Sequence, residues 1–431
     1  MTAYRAVQGV KDILPEQAAL WEHFEKIIKT TCGLYGYQRI ETPIFEETGV
    51  YARGVGEGTD IVEKEMYTFK DRGDTSLTLE PEGTAGVVRA YIEHGMQMKP
   101  QPVKLFYVRT PIFRYERPQK GRLREHHQFG CEAIGESDPM LDAELISVIW
   151  SVYTRMGLTN LSIQLNSIGD KACKPGYMQK LTEYYTPLQD DLCADCKVRF
   201  TKNPLRLLDC KEERDQPKIA QAPKIAEYLC ADCEEHFSLL KQYLEEMHIP
   251  YTLNPLLVRG LDYYTRTVFE LISEDIGGRQ NAIGGGGRYD GLIELLGGKP
   301  TPAIGFGSGM ERAIALLEQQ KGNEIAEKQP DVYIIALNAA AKRKAAEFAN
   351  MLREQDVKTL LGFGSRSLKA FMKAANASGA KWAVIIGEEE AQTNTVTLRN
   401  LRADANTAEE QKQVSLSVAD GLQTILRSVR Q

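Results

Sequence analysis

Between Arg259 and Glu270 the chain reads Arg-Gly-Leu-Asp-Tyr-Tyr-Thr-Arg-Thr-Val-Phe-Glu, which gathers Arg259, Asp262, Arg266 and Glu270 around two adjacent tyrosines, Tyr263 and Tyr264. These residue types suit a pocket for a small zwitterion. Aromatic rings wall off the ligand, carboxylates meet an ammonium or imidazolium, and guanidinium groups meet a carboxylate or phosphate. A buried strand from Tyr264 to Leu271 with charged ends would carry the same letters. Two glycine runs downstream, each followed by an arginine, favour the pocket: Gly284-Gly-Gly-Gly-Arg-Tyr-Asp-Gly-Leu292 and Gly305-Phe-Gly-Ser-Gly-Met-Glu-Arg312.

A second charged cluster lies upstream, in Thr110 to Gly130. Arg114, Arg117, Lys120, Arg122 and Arg124 stand there against Glu116 and Glu125, between two β-rich runs. Such a cluster at a strand end could hold a triphosphate or reach a nucleic-acid end, and it is equally what a solvated basic hairpin tip looks like. In Gly305 to Arg312 the glycines would let backbone approach a ligand or let a helix pack closely on a sheet, with Arg312 projecting from the start of the helix Met310 to Gln319. No Gly-Lys-Ser/Thr follows, so this is not a phosphate loop of the Walker type. Four consecutive glycines, Gly284 to Gly287, are costly to order; a close ligand or packed backbone compensates more naturally than a free turn.

These side chains need a scaffold, and its outline is legible. With 431 residues, two or three domains are expected. Residues 17 to 33 space Leu20, Trp21, Phe24, Ile27 and Ile28 as an amphipathic helix after Pro15. Tyr37 to Phe45, broken by Pro43, reads as a strand edge. Further strands are expected flanking the loop within Lys104 to Glu132, at Leu161 to Leu165, at Thr267 to Leu271 and at Asn281 to Ile283. The mixture predicts an α+β domain, an antiparallel sheet carrying helices. Residues 171 to 250 read as a helical insertion. The polar stretch Glu318 to Pro330 is the best boundary. Beyond it, strands at 332–337, 358–361, 382–386, 395–401 and 413–416 alternate with helices at 342–355, 368–377 and the C-terminus, predicting a mixed α/β domain.

Charge and composition narrow the classes. The net charge of −6 argues against a protein that coats itself with nucleic acid, yet the part from Asp331 onward holds 14 Lys+Arg and 11 Asp+Glu. A tail of +3 on a body of −9 fits a polyanion-binding module. No apolar run approaches the ~20 residues that span a bilayer, and Met1 to Val7 lacks a secretory pattern, so a cytoplasmic protein is expected. Of eight cysteines, Cys32, Cys131 and Cys173 are scattered and read as reduced and structural. Cys193-x-x-Cys196, Cys210 and Cys230-x-x-Cys233 cluster, with His236 three residues on. Cys193, Cys196, Cys230 and Cys233 are a candidate structural zinc site, or simply packed thiols.

Taken together, Arg259 to Glu270, Thr110 to Gly130 and Gly305 to Arg312 make the chain resemble the histidyl-tRNA synthetases of bacterial type over its whole length. The resemblance implies a class II catalytic domain at 1–325, including the insertion, and an anticodon-binding domain at 326–431. It implies a cytoplasmic homodimer with Pro43 at its interface, and a ligase that makes histidyl-adenylate from histidine and ATP with Mg²⁺, then charges tRNA(His). Arg114 would grip the α-phosphate, Glu116 the adenine, and Arg122 and Arg312 the γ-phosphate. Glu82, Thr84, Gln128, Glu132, Tyr263, Tyr264 and Gly285 would hold histidine. Arg259 would contact the α-phosphate and the substrate carboxylate, so Arg259 and Arg114 are the catalytic pair. Arg117 and Gln119 would meet the acceptor end of the tRNA. One letter departs from the pattern: Glu80 stands in Leu79-Glu-Pro-Glu-Gly-Thr84 where arginine is usual, which would reverse a local charge. The resemblance also admits a histidine-binding regulatory paralogue or a noncatalytic RNA-binding protein on the same scaffold. The retained arginines and C-terminal domain argue against both.

Overall fold

The computed structural model describes residues 4–56, 59–116, 118, 123–276, 281–321, 329–403 and 413–430. They form two compact units, Met1–Ala326 and Glu327–Gln431. In the first unit an eight-stranded sheet has the order β1-β5-β6-β11-β10-β9-β7-β8. Its strands are β1 (Gln38–Arg39), β5 (Val103–Phe113), β6 (Glu125–Ile134), β7 (Leu161–Ser167), β8 (Tyr251–Leu253), β9 (Thr265–Ser273), β10 (Ala282–Arg288) and β11 (Ala303–Gly309). The six central strands pair antiparallel, and only the edge strands β1 and β8 pair parallel. A small sheet of β2 (Phe45–Glu47), β4 (Ser76–Leu79) and β3 (Thr68–Lys70) stands beside it.

Side-chain alternation along the central strands builds a core on each face. Phe106, Val108, Phe129, Cys131 and Phe269 point to one face, against the helices Pro15–Leu34, Pro139–Arg155 and Met310–Lys321. Leu105, Tyr107 and Val268 point to the other, with Val87 and Val88 of the helix Gly83–Glu93 and the insertion. The same alternation puts Gln128, Glu132 and Glu270 on this second face. Between Lys174 and Glu246 the regular elements are all helical, several of them single short turns joined by loops.

Two local expectations change. Tyr37 to Phe45 is not one strand: Gln38–Arg39 joins the large sheet and Phe45–Glu47 the small one, with Pro43 in the unpaired link between them. The strand expected at Asn281 to Ile283 runs on through all four glycines to Arg288. No alternating side chains announce it, because glycine has none. At its end Arg288 is fully buried and ion-paired to the buried Asp142 (Nη2 to Oδ1, 2.6 Å). His236 and Thr267 complete that network on Asp142 Oδ2, at 2.8 and 2.6 Å. His236 therefore belongs to a core ion network and not to the cysteines.

The second unit is a five-stranded sheet of order β13-β12-β14-β15-β16, with β12 (Val332–Ala336), β13 (Thr359–Leu361), β14 (Trp382–Ile386), β15 (Thr395–Asn400) and β16 (Gln413–Ser417). The first three strands are parallel and the last two antiparallel. Val332 and Ile334 pack under the helices Ala339–Arg353 and Val418–Arg430, while Tyr333 and Ile335 pack on Leu368–Ala377. A short helix, Glu388–Thr393, adds to the expected elements.

Candidate active site

The four central strands β6, β11, β10 and β9 carry the site, and their register sets who faces whom. Glu132 lies opposite Gly305, Gln128 opposite Gly309, and Gly285 opposite Glu270. Glycine is needed at both contact points. A Cβ on Gly305 would overlap the Glu132 carboxylate, and one on Gly285 would stand 2.9 Å from Arg259 Nη1 and 2.6 Å from the Phe269 carbonyl. Arg259 lies in that space ion-paired to Glu270.

A hydrogen-bonded chain runs beside this pair. Thr84 Oγ1 donates to Glu132 Oε1 (2.8 Å), and Tyr289 Oη donates to Glu132 Oε2 (2.6 Å). Tyr263 Oη donates to Glu82 Oε2 (3.2 Å). Glu82 is also the N-cap of the helix Gly83–Glu93, accepting from the backbone N–H groups of Thr84 (3.0 Å) and Ala85 (2.7 Å). The rings of Tyr263 and Tyr264 lie 4.7 Å apart, and Tyr263 meets Tyr289 edge-on at 5.7 Å. Burial pushes the Glu132 carboxyl up to about 8 against the hydrogen bonds from Tyr289 and Thr84. Burial likewise raises Glu82, opposed by its capping N–H groups. The pocket thus holds two carboxyls whose ionisation a cationic group beside them would favour.

The arginine-rich end is assembled from separate elements. Arg114 follows β5 and donates from Nε to the Pro81 carbonyl (2.8 Å). Arg312, in the first turn of Met310–Lys321, donates from Nη1 to the Ala282 carbonyl (2.8 Å). Both act on His126, which is held down at about 3 by burial first and then by Arg114, His127 and Arg312. The two guanidinium groups converging near His126, rather than its burial-led neutrality, give this zone a positive charge that fits polyphosphate. Gln128 Nε2 lies 3.4 Å from His126 Nε2, so this zone adjoins the carboxyl chain. Arg124 stacks over the Tyr115 ring at 4.3 Å and donates to the Glu116 carbonyl (3.2 Å). Arg117, Gln119 and Arg122 lie outside the described residues.

Not every charged residue of the opening row serves the pocket. Asp262 Oδ1 accepts from Asn203 Nδ2 (2.6 Å), and Arg266 pairs with Asp170 (3.2 Å), so these two hold the insertion. Tyr107 was not legible from local pattern. Its ring crowds Gly83 and Gly130 and forbids larger residues at both positions. Glu311 was also missed; its Oε1 accepts from the His127 backbone N–H (2.8 Å) and lies 2.9 Å from Nδ1.

Glu80 does not reverse a local charge as its sequence position implies. It is fully buried, with Oε1 3.5 Å from the Thr42 hydroxyl and Oε2 without a partner. Burial first, then Glu82 and Glu46, push its carboxyl up to about 9, so it is neutral at pH 7. A carboxyl raised above its unfolded value loses stability for the fold as pH climbs from the unfolded to the folded pKa. Glu80→Gln removes that loss. Its stabilisation is expected to grow between pH 5 and pH 8, by at most ~1.4 kcal/mol per pH unit. Urea melts at the two pH values check it; an equal gain at both would mean Glu80 is ionised in the fold.

The single four-cysteine zinc site also fails. Among the described residues, Cys193 and Cys196 group with Cys210 and Asp215, while Cys230 and Cys233 group with Cys173 and Asp170. Cys173 is therefore not a scattered thiol. Folding of the insertion separates the two Cys-x-x-Cys pairs and gives each a sulfur and a carboxylate from elsewhere.

Similarity to known proteins agrees with the geometry. A family model for histidyl-tRNA synthetase matches residues 9–169 and 205–313, and an anticodon-binding-domain model matches 331–427. A histidine–tRNA ligase of Dehalococcoides mccartyi is 50% identical over 399 residues, 93% of this chain and 95% of that protein. One from Caldanaerobacter subterraneus is 48% identical over 404 residues, 94% and 96% of the two chains. The apo histidyl-tRNA synthetase of S. aureus superposes with a TM-score of 0.81 at 36% identity, covering 98% of this chain and all of that one. On this ground the chain belongs to the histidyl-tRNA synthetase family, the ATP-dependent histidine–tRNA ligases of class II.

Proposed function

We propose that the chain activates histidine with ATP and passes the histidyl group to the 3′-terminal adenosine of tRNA(His), with its residues dividing the work as follows. Glu82, Thr84 and Glu132 receive the polar groups of histidine, Tyr263, Tyr264 and Gln128 line its pocket, and Gly285 keeps the floor open. Glu116 meets the adenine. A histidine carboxylate oxygen attacks the α-phosphorus in line, and the bond to the bridging oxygen breaks to release pyrophosphate. Arg114 and Arg259 stabilise the charge that builds on the α-phosphoryl oxygens, and Arg312 with Arg122 holds the departing end. This chemistry asks for positioning and charge neutralisation more than for a strong base. The tRNA hydroxyl then attacks the histidyl carbonyl and AMP leaves, with Arg117 and Gln119 at the acceptor end.

Mg²⁺ would enter with ATP and neutralise the β- and γ-phosphates. The buried Oε2 of Glu311, which has no hydrogen-bond partner among the described residues, is an oxygen that fits such a hard cation. Partial support for the dimer comes from the exposed apolar Ile44, Phe45 and Phe69, beside Pro43 and on the small sheet. We place the protein in the cytoplasm; no helix among the described residues is long and apolar enough to cross a membrane.

The observation that carries the reading is the buried chain Glu82, Tyr263, Thr84, Glu132 and Tyr289 set beside the Arg259–Glu270 pair. Histidine-dependent exchange of pyrophosphate into ATP, followed by charging of tRNA(His), is the expected behaviour. Histidine binding with no exchange would make the site a sensor and sink the proposal.

A further inference from the structure

The two cysteine groups have the dimensions of occupied metal sites. In each, three thiols and one carboxylate offer ligand atoms that all lie within 4.8 Å of one another. In the first, Cys173 Sγ stands 3.8 Å from Cys233 Sγ and 3.6 Å from Asp170 Oδ1, and Cys230 Sγ stands 3.9 Å from the same oxygen. In the second, Cys193 Sγ stands 3.8 Å from Cys210 Sγ, which is 3.5 Å from Asp215 Oδ2. Tetrahedral zinc with Zn–S near 2.3 Å and Zn–O near 2.0 Å puts sulfurs about 3.8 Å apart and sulfur and oxygen about 3.5 Å apart. A disulfide would need sulfurs at about 2.05 Å, and three thiols per group leave one over however they pair.

The surroundings are also those of thiolate ligands. Backbone N–H groups of Asp170, Cys196 and Glu212 point at Cys173, Cys193 and Cys210 sulfurs, at 3.3, 3.3 and 3.4 Å. Each carboxylate has a cation on it: Arg266 Nη2 on Asp170 at 3.2 Å and Lys218 Nζ on Asp215 at 3.6 Å. These outer partners orient the ligands and offset the negative charge of three thiolates and a carboxylate around a divalent ion. A thiolate-rich tetrahedral set selects zinc over magnesium or calcium.

We propose that the insertion holds two independent structural zinc ions, each bound by three cysteines and one aspartate: Asp170, Cys173, Cys230 and Cys233, and Cys193, Cys196, Cys210 and Asp215. The first clips the insertion shut at its base, joining the end of β7 to the start of the helix Ala231–Glu246. The second organises the interior, where the main chain is a run of short helical turns with little regular structure to stabilise it. Both sit next to residues that hold the pocket segment. Arg266 ties the first site to β9, donating its own backbone N–H to the Gly169 carbonyl (2.7 Å). Just ahead of Cys210, Arg206 Nη1 donates to the Gly260 carbonyl (2.8 Å), and Asn203 donates to Asp262. Zinc in the insertion therefore fixes the backbone that carries Arg259 without touching substrate.

The test is metal content, so its failure is distinguishable from failure of the ligase reading. The full chain, produced in zinc-supplemented medium and purified without chelator, is expected to hold about two zinc ions per chain by plasma mass spectrometry. Cys196→Ser and Cys233→Ser should each retain one, and the double variant none. Asp170→Cys and Asp215→Cys, which restore a four-thiolate set, should retain both and guard against variants that fail to fold. Exchange for Co²⁺ should give the visible bands of tetrahedral thiolate cobalt, halved in each single serine variant. Fewer than about 1.5 zinc ions in the wild-type chain, or loss of both ions from either Asp→Cys variant, overturns the proposal.

Discussion

Arg259→Ala is expected to slow single-turnover formation of histidyl-adenylate by about 10²–10³-fold, with the apparent affinity for ATP changed less than about threefold. The reason lies in where the guanidinium is held. Arg259 sits over Gly285, ion-paired to Glu270, in a space that any side chain at 285 would take. Its charge is held in place by Glu270, so in the proposed role it would need no reorganisation as negative charge develops on the α-phosphoryl oxygens. Removing it costs the transition state more than the ground state. Arg259→Lys is expected to recover little, because a point charge cannot keep the Glu270 pair and reach the phosphoryl group in one planar fork. Rapid-quench measurement of adenylate decides the matter. A rate within about threefold of wild type would remove Arg259 from the chemistry.

Ending the chain after Gln329 is expected to leave histidine-dependent pyrophosphate exchange within about twofold while lowering tRNA charging by about 10²-fold, roughly 2.7 kcal/mol of recognition. The second unit has its own two-faced core, built on Val332, Ile334 and Phe348 on one side and Tyr333, Ile335 and Phe371 on the other. It completes no part of the central strands that carry the site. Its sequence matches an anticodon-binding model over 331–427. Arg366, Lys369 and Arg402 are exposed there and Arg399 is half-buried on β15, a set of cations that a splayed RNA loop could meet. Equal loss of both activities would mean that the unit supports the fold instead.

How much of this was legible in the sequence depended on what each residue type announces. The helix Pro15–Leu34 follows from apolar spacing at the helical period, and the strands expected at 161–165 and 267–271 from β-rich runs, which fit their burial on both faces. The arginines of the candidate site stood out because charge clusters and glycine runs are rare enough to be noticed, whereas Glu82 and Glu132 were named only through the family resemblance. Glu132 and Thr84, 48 residues apart, could not be seen to touch, since only the packing of the helix Gly83–Glu93 on β6 brings them together. Glu80 showed a departure but not its resolution, because neutrality comes from burial, which no single letter records. The cysteines misled for a related reason. Two short-range pairs suggested one site, whereas each pair closes with partners drawn from elsewhere in the fold, Asp170 and Cys173 from 60 residues away for one.

The glycine strand β10 raises a question of alignment. A strand normally finds its place against its neighbours because a one-residue slip would turn its apolar set to the wrong side. Gly284 to Gly287 have no such set, so within β10 only Ile283, buried near its start, would register a slip through the hydrophobic effect. The strand is instead pinned at its two ends. Arg288 can meet Asp142 in only one position, and the Ile283 carbonyl accepts from Ser308 Oγ (2.7 Å) in the matching one. Asp142 and Ser308 thus act as the latches that keep Gly285 beneath Arg259. Unlatching either would blur the pocket without removing a single residue from it.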